Sequence, residues 1–346
     1  MAERSSRREP SPMTTLTNSH DLLAAVPFLI GYHPEDSLVI ISIRDKSVGV
    51  AMRIDYPQVA DREQIELLVS HIEKHSCDGV LIVSYIPERC TNHNEIGRAL
   101  TQSLENADIS VRENLEVRAG RWRSLICEDE KCCPPGGNQL PEFTDSTITA
   151  EQVADGVPLP FSGVAALKAS LYAKQPSLPL LAALSRVEPM DYSHAKVQKM
   201  QREGALAVKR LVKEFAEKGV AVDGDLVALV LVRLQDLQIR DYALGMATVE
   251  NQETLTSLWR WCTSIAPQGF AAAPATLYSE LMYENGEGAI ATRALERALD
   301  DVPDYALAKL LRRTFAAGWE PSAFRQMRSE LHPKICEALF MEAGEE

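Results

Sequence analysis

SLVIISIR at Ser37–Arg44 and GVLIVSY at Gly79–Tyr85 decide the fold. Each is a short, unbroken apolar run rich in Val and Ile. Runs of that length and composition predict strands buried on both faces. Residues 48–56 lie between them and follow another pattern. Val48, Val50, Met52 and Ile54 alternate with Gly49, Ala51, Arg53 and Asp55, the period-2 signature of a strand with one wet face. The short link at 45–47 predicts a hairpin between the first two strands. Residues 61–75 read as a helix, with Asp61 as cap, Gln64 three residues on, and Ile65, Leu68, Val69 and Ile72 on one face. Thr91 is placed to cap a second helix whose face is Ile96, Leu100 and Leu104. Residues 115–119 and 122–127 then read as strands joined by a tight turn at Gly120.

The order β-β-α-β-α-β-β predicts an α/β domain with a mixed sheet. If the most apolar strands are central, Ser37–Arg44 pairs with Gly79–Tyr85 and 48–56 is an edge. A hairpin makes the first two strands antiparallel, and the helical crossover makes the third parallel to the second. Upstream, Ser19 is placed to cap a short helix with Asp21 in its first turn. Pro27 should end or kink that helix, and Gly31 should close it. Residues 1–13 hold almost nothing to bury and read as a disordered tail, with Met13 an alternative start.

Residues 136–160 are rich in Pro, Gly and polar side chains and read as a linker between an α/β domain at 14–135 and a helical domain at 161–346. Helices are predicted over 195–218, 225–239, 253–265 and 304–317. Residues 272–318 carry a partial helical repeat. With Pro303 matched to the terminal proline of a tetratricopeptide repeat, Ala291, Ala298 and Ser279 fall on its small positions and Leu295 on a bulky one. Ala275 and Met282 stand where that pattern has Trp and Tyr. Generic close packing of two helices explains the same alanines.

The chain has 346 residues and a formal net charge of −13. Residues 1–150 hold 15 Lys and Arg against 23 Asp and Glu, so the acidity is spread along the chain. No basic stripe is left for a nucleic-acid backbone, and no apolar run reaches the roughly 20 residues of a membrane span. Residues 1–12 lack the apolar core of a signal peptide. The seven cysteines are an odd number in a large chain, which argues against a disulfide framework. A cytoplasmic protein is expected, with no nucleic-acid or membrane partner.

Two constellations can carry chemistry. The first follows from the topology. The loop leading into the first strand should lie beside the end of the third, so that His33, Glu35, Asp36, Arg89 and His93 converge near a helix N-terminus, a possible site for a small anionic ligand. The bland reading makes Glu35, Asp36 and Ser37 a turn and pairs Arg89 with a carboxylate. The second is Cys127, Cys132 and Cys133, followed by Pro134-Pro135-Gly136-Gly137. Zinc sites commonly take thiolates in CxxC pairs, and neighbouring cysteines point in different directions. Cys132 and Cys133 are therefore expected to be structural thiols packed against the sheet, with metal binding and redox chemistry as alternatives. No cofactor is expected, zinc being the exception to test. Asp236, Arg240 and Asp241 sit at helical spacing and read as a salt bridge. GxGxxG after a strand, GxxxxGK[ST], HExxH and GxSxG are all absent.

The stretch from Asp21 through Pro27, His33, Glu35 and Asp36 to Val39 resembles the opening of the actinobacterial proteins grouped as domain of unknown function 4192. The stretch from Trp122 through Cys127, Cys132 and Cys133 to Gly137 resembles that family's central cysteine motif. The Arg240-Asp241 pair and the tail through Gly318 and Pro321 resemble its C-terminal part. The resemblance implies an actinobacterial cytoplasmic protein and supplies no activity. The expected function is a non-enzymatic binding or regulatory protein, a sensor-like α/β domain joined to a helical protein-interaction domain. The alternative is an enzyme of unassigned chemistry using the His33/Arg89 loop pocket or the Cys127, Cys132 and Cys133 motif.

Overall fold

The structure, a computed structural model, describes residues 15–45, 47–74, 77–172 and 177–340. The chain divides into two compact units at Val164/Ala165. The tail at 1–13, with Met13, and His75 lie outside the described residues.

The first unit opens with α1 (Ser19–Ile30) and continues through β1 (Ser37–Arg44), β2 (Ser47–Asp55), α2 (Arg62–Lys74), β3 (Gly79–Tyr85) and α3 (His93–Asn106). It then runs through β4 (Val111–Arg118), β5 (Arg121–Ser124), β6 (Asn138–Gln139) and α4 (Thr147–Ala154). The six strands form one mixed sheet in the order β2-β1-β3-β4-β5-β6. β1 is antiparallel to both β2 and β3, and β3 is parallel to β4. The two apolar runs are therefore central neighbours, as their composition requires. On one face Leu38, Ile40, Val80 and Ile82 pack against Ile65, Val69 and Ile72 of α2 and Ile96, Leu100 and Leu104 of α3. α1 borders the opposite face, where the Ser19 hydroxyl donates to Glu113 at 3.0 Å and His20 meets the Trp122 ring edge-on. Ala119 and Gly120 both take positive φ, 49° and 70°, the two-residue turn that matches the twist of β4 and β5.

Several local expectations change. Asn18, not Ser19, caps α1, accepting from the Asp21 amide. The helix runs past Pro27 to Ile30, and Gly31 closes it in the left-handed region at φ 82°. α3 starts after Asn92 rather than Thr91, with no side-chain cap. β2 is wetter than its alternation suggests: Val48, Val50 and Ile54 are exposed, because only Met52 reaches the core under α2. β5 ends at Ser124 rather than 127. The stretch 136–160 contains β6 and α4, so it extends the sheet and adds a helix whose Ile148 packs on Ala24 and Ala25.

The second unit comprises α5 (Val164–Ser170), α6 (Leu178–Leu184), α7 (Val197–Lys218), α8 (Gly224–Arg233), α9 (Leu237–Gly245), α10 (Gln252–Ile265), α11 (Ala272–Glu284), α12 (Gly288–Asp301), α13 (Ala306–Ala316) and α14 (Pro321–Phe340). The single helix expected over 225–239 is two, because Asp236 caps α9 by accepting from the amides of Gln238 and Ile239. α11 is buried nearly all round and is the unit's central helix. It packs on α12 through the small residues picked out by the repeat pattern: Ala275, Ala291 and Ala298 are fully buried, and the Ser279 hydroxyl donates to the Ala291 carbonyl at 2.7 Å. Asp301, at the end of α12, accepts from the amides of Gly269, Ala271 and Ala272 and so holds the start of α11. None of the described helices is long and apolar enough to cross a membrane.

Candidate functional site

Ser37 pairs with Tyr85 across β1 and β3, and Tyr85 with Val117 across β3 and β4. That register brings the loop before β1 beside the ends of β3 and β4. A cavity of about 680 Å³ opens there, within the range usual for small-molecule sites. His33, Glu35 and Asp36 line it. Arg89 and His93 do not: Arg89 is exposed, and His93 belongs to α3 on the other face of the sheet, its Nε2 4.0 Å from Glu116. Both follow β3 in sequence, but the chain turns toward the α3 face before reaching them.

Other parts of the chain complete the cavity. Arg118 comes from the end of β4 and donates to the Glu88 carbonyl at 2.6 Å. Its position was deducible in principle, since parallel pairing sets the ends of β3 and β4 side by side. Phe143 and Glu142 come from residues read as linker, where no local pattern marks them. The His33 ring stands edge-on to Phe143 at 4.5 Å, and burial pushes its pKa below the ordinary histidine value. Asp21 is bound by the Thr17 amide and hydroxyl and by Asn18, and the hydrogen bonds hold its pKa low against the opposing effect of burial. Asp36 takes φ 44°, and its carbonyl accepts from the Tyr56 amide at 2.8 Å. Asp21, Glu35, Asp36, Glu142 and Asp145 line the cavity and Arg118 is the one Arg or Lys among the lining residues, so the lining is acidic.

The cysteine motif forms the loop between β5 and β6. The Sγ atoms of Cys127, Cys132 and Cys133 lie within 4.8 Å of one another. Cys132 and Cys133 therefore do converge, contrary to the expectation for neighbours in sequence. The reason is a turn in which both their amides donate to the Asp129 carbonyl, at 3.0 and 2.7 Å. The thiols are not packed under the sheet: Cys132 is exposed and the other two half-buried. Hydrogen bonding and repulsion among the three push Cys132 up to about 11.

Arg240 pairs with the adjacent Asp241 at 2.6 Å rather than with Asp236, which is occupied as the α9 cap and by Gln201. Nearby, Arg328 of α14 grips Glu284 of α11 at 2.7 Å. Glu280, one turn earlier, is fully buried, and neither of its oxygens meets a donor among the described residues. Burial, with Glu284 adding to it, pushes its pKa up to about 8.

The fold and cavity define an α/β protein with a six-stranded mixed sheet, continued by a helical unit. The chain belongs to the family described as domain of unknown function (DUF4192), whose model matches residues 20–322 and so spans both units. No curated protein and no solved structure matches it.

Proposed function

We propose that the chain is a non-enzymatic ligand-binding or regulatory protein whose α/β unit holds a small organic cation in the cavity before β1. The observation that carries this reading is the cavity, with carboxylates outnumbering its one guanidinium. An acidic lining attracts amines and repels carboxylates and phosphates, which moves the ligand expectation from anion to cation. The Phe143 ring, packed between Phe28 and His33, gives the cavity an apolar wall. His33, neutral at physiological pH because burial disfavours its charge, supplies a hydrogen-bonding group without opposing that cation. The helical unit is the part that meets a protein partner, supported by outward-facing Leu178, Leu237 and Leu310. The odd count of seven cysteines in a chain of 346 residues supports a reducing, cytoplasmic setting, and the family resemblance supports an actinobacterial one.

The test is thermal denaturation of the full chain against matched panels of small amines, carboxylates and phosphates. Stabilisation by amines alone, abolished in an Asp36→Asn/Glu142→Gln variant, is the expected result. Stabilisation by anions alone would overturn the ligand class, and no response to any panel at millimolar concentration would overturn the binding reading.

A further inference from the structure

The loop between β5 and β6 spans residues 125–137, far longer than the roughly two to five residues usual in a hairpin. It has no core of its own. Leu125 and Ile126 are exposed, and within the loop only Gly137 is buried. Even so it is shaped in detail. The Asp129 carbonyl accepts two amides, the Asp129 carboxylate accepts the Lys131 amide at 2.9 Å, and the Asn138 side chain donates to the Cys132 carbonyl at 2.8 Å. Arg121 anchors the far end through the carbonyls of Gly136 and Gly137. The outcome of these bonds is that three thiols meet within the loop, whose sequence between them carries Glu128, Asp129 and Glu130.

Hydrophobic burial does not explain that meeting, and a disulfide would use only two of the three. A tetrahedral zinc ion holds sulfur at about 2.3 Å, which places its sulfurs about 3.8 Å apart. Sγ atoms already within 4.8 Å need move little to reach that spacing. We propose that Cys127, Cys132 and Cys133 form a three-thiolate site for one thiophilic divalent cation of the zinc class, with the fourth position open to water or an outside ligand. Binding exchanges protons for metal: each thiol gives up its proton to solvent and donates an electron pair to the cation, with no change of oxidation state. The neighbouring carboxylates favour the incoming positive charge. The site lies outside the lining of the cavity before β1, so it stands or falls separately from the ligand proposed there.

The experiment titrates the reduced full chain, purified without chelator, with cobalt(II) and then with zinc. One cobalt per chain is expected, with strong thiolate-to-cobalt absorption in the near ultraviolet and the visible bands of tetrahedral cobalt, both removed by zinc. Loss of a ligand should exceed the 10–100-fold cost typical of a supporting residue, so Cys127→Ser, Cys132→Ser and Cys133→Ser should each weaken cobalt binding by more than about 100-fold. Cys77→Ser should leave it unchanged. Circular dichroism establishes that each variant is folded. Should one not fold, zinc-edge X-ray absorption of the unmodified protein decides, with three sulfurs in the first shell expected. Cobalt bound without thiolate absorption, a sulfur-free first shell, or folded serine variants with undiminished affinity would overturn the proposal.

Discussion

Gly137 passes so close to Trp122 that a Cβ on the glycine would lie 2.9 Å from the tryptophan's carbonyl oxygen. Gly137 also takes φ 68°, a region that L side chains adopt only at a cost. Gly136, its neighbour, has open space and no such φ. Gly137→Ala should therefore destabilise the first unit by about 1–3 kcal/mol, while Gly136→Ala should change it by less than about 0.5 kcal/mol. Urea denaturation of the two variants checks this, and equal effects would show that the close approach is not what holds the hairpin.

A second close approach joins α9 to α14. A Cβ at Gly245 would meet the His332 ring at 2.2 Å and its Cβ at 2.7 Å. Relief requires the helices to separate. Gly245→Ala should cost about 1–3 kcal/mol despite alanine's better helix propensity. A variant as stable as the parent in chemical denaturation would mean that the helices shift apart freely.

Glu280 makes stability depend on pH in an unusual direction for an acid. Its folded pKa, about 8, lies above the 4.5 of an ordinary glutamate. Between those values the unfolded chain releases the proton and the folded chain keeps it, so stability falls as pH rises from 4.5 to 8 and then levels off. Glu280→Gln keeps the shape and removes the titration. It should flatten the loss, with a gain on the order of a few kcal/mol at pH 9. Denaturation midpoints from pH 5 to 9 test it, and parallel curves for parent and variant would rule out a titrating Glu280.

His33 acts on the acid side. Burial lowers its folded pKa below 6.5, so the unfolded chain binds the proton first as pH falls. The stability that His33 contributes is complete above pH 6.5 and is lost as pH drops through that value toward the folded pKa. His332 of the second unit, lowered by burial and by Arg328, follows the same sign. Proton NMR of the His33 ring should titrate below 6.5; a midpoint at or above 6.5 contradicts the effect of its half-buried position.

The second unit holds its own buried clusters, one built on Ala275, Leu295, Leu311 and Phe324. Residues 165–346 expressed alone should be helical by circular dichroism and melt cooperatively, since a chain of that size can bury a sufficient core. A fragment that does not fold would make the chain a single cooperative domain.

What local pattern records is burial along one element. The unbroken apolar runs at 37–44 and 79–85 identify the central strands by themselves, because a strand covered on both faces has no reason to alternate. The helical faces of α2 and α3 are legible for the same reason, as are the small residues that let α11 and α12 approach. The motif at His33, Glu35 and Asp36 is legible because a hairpin and one crossover restrict where the loop before β1 can lie. Tertiary structure decides what depends on distant residues meeting. Phe143 reaches His33 across more than a hundred residues, and no periodicity in a proline-rich stretch encodes that contact. The same topology predicts Arg89 and His93 at that edge, yet the chain's turn after β3 sends them elsewhere. The pattern around Asp236 reads as continuous helix, and only its side chain, turned back onto two amides, shows the break. The cysteines carry the same lesson. Adjacent residues diverge in a strand or a helix, and Cys132 and Cys133 converge because one carbonyl, that of Asp129, accepts from both their amides.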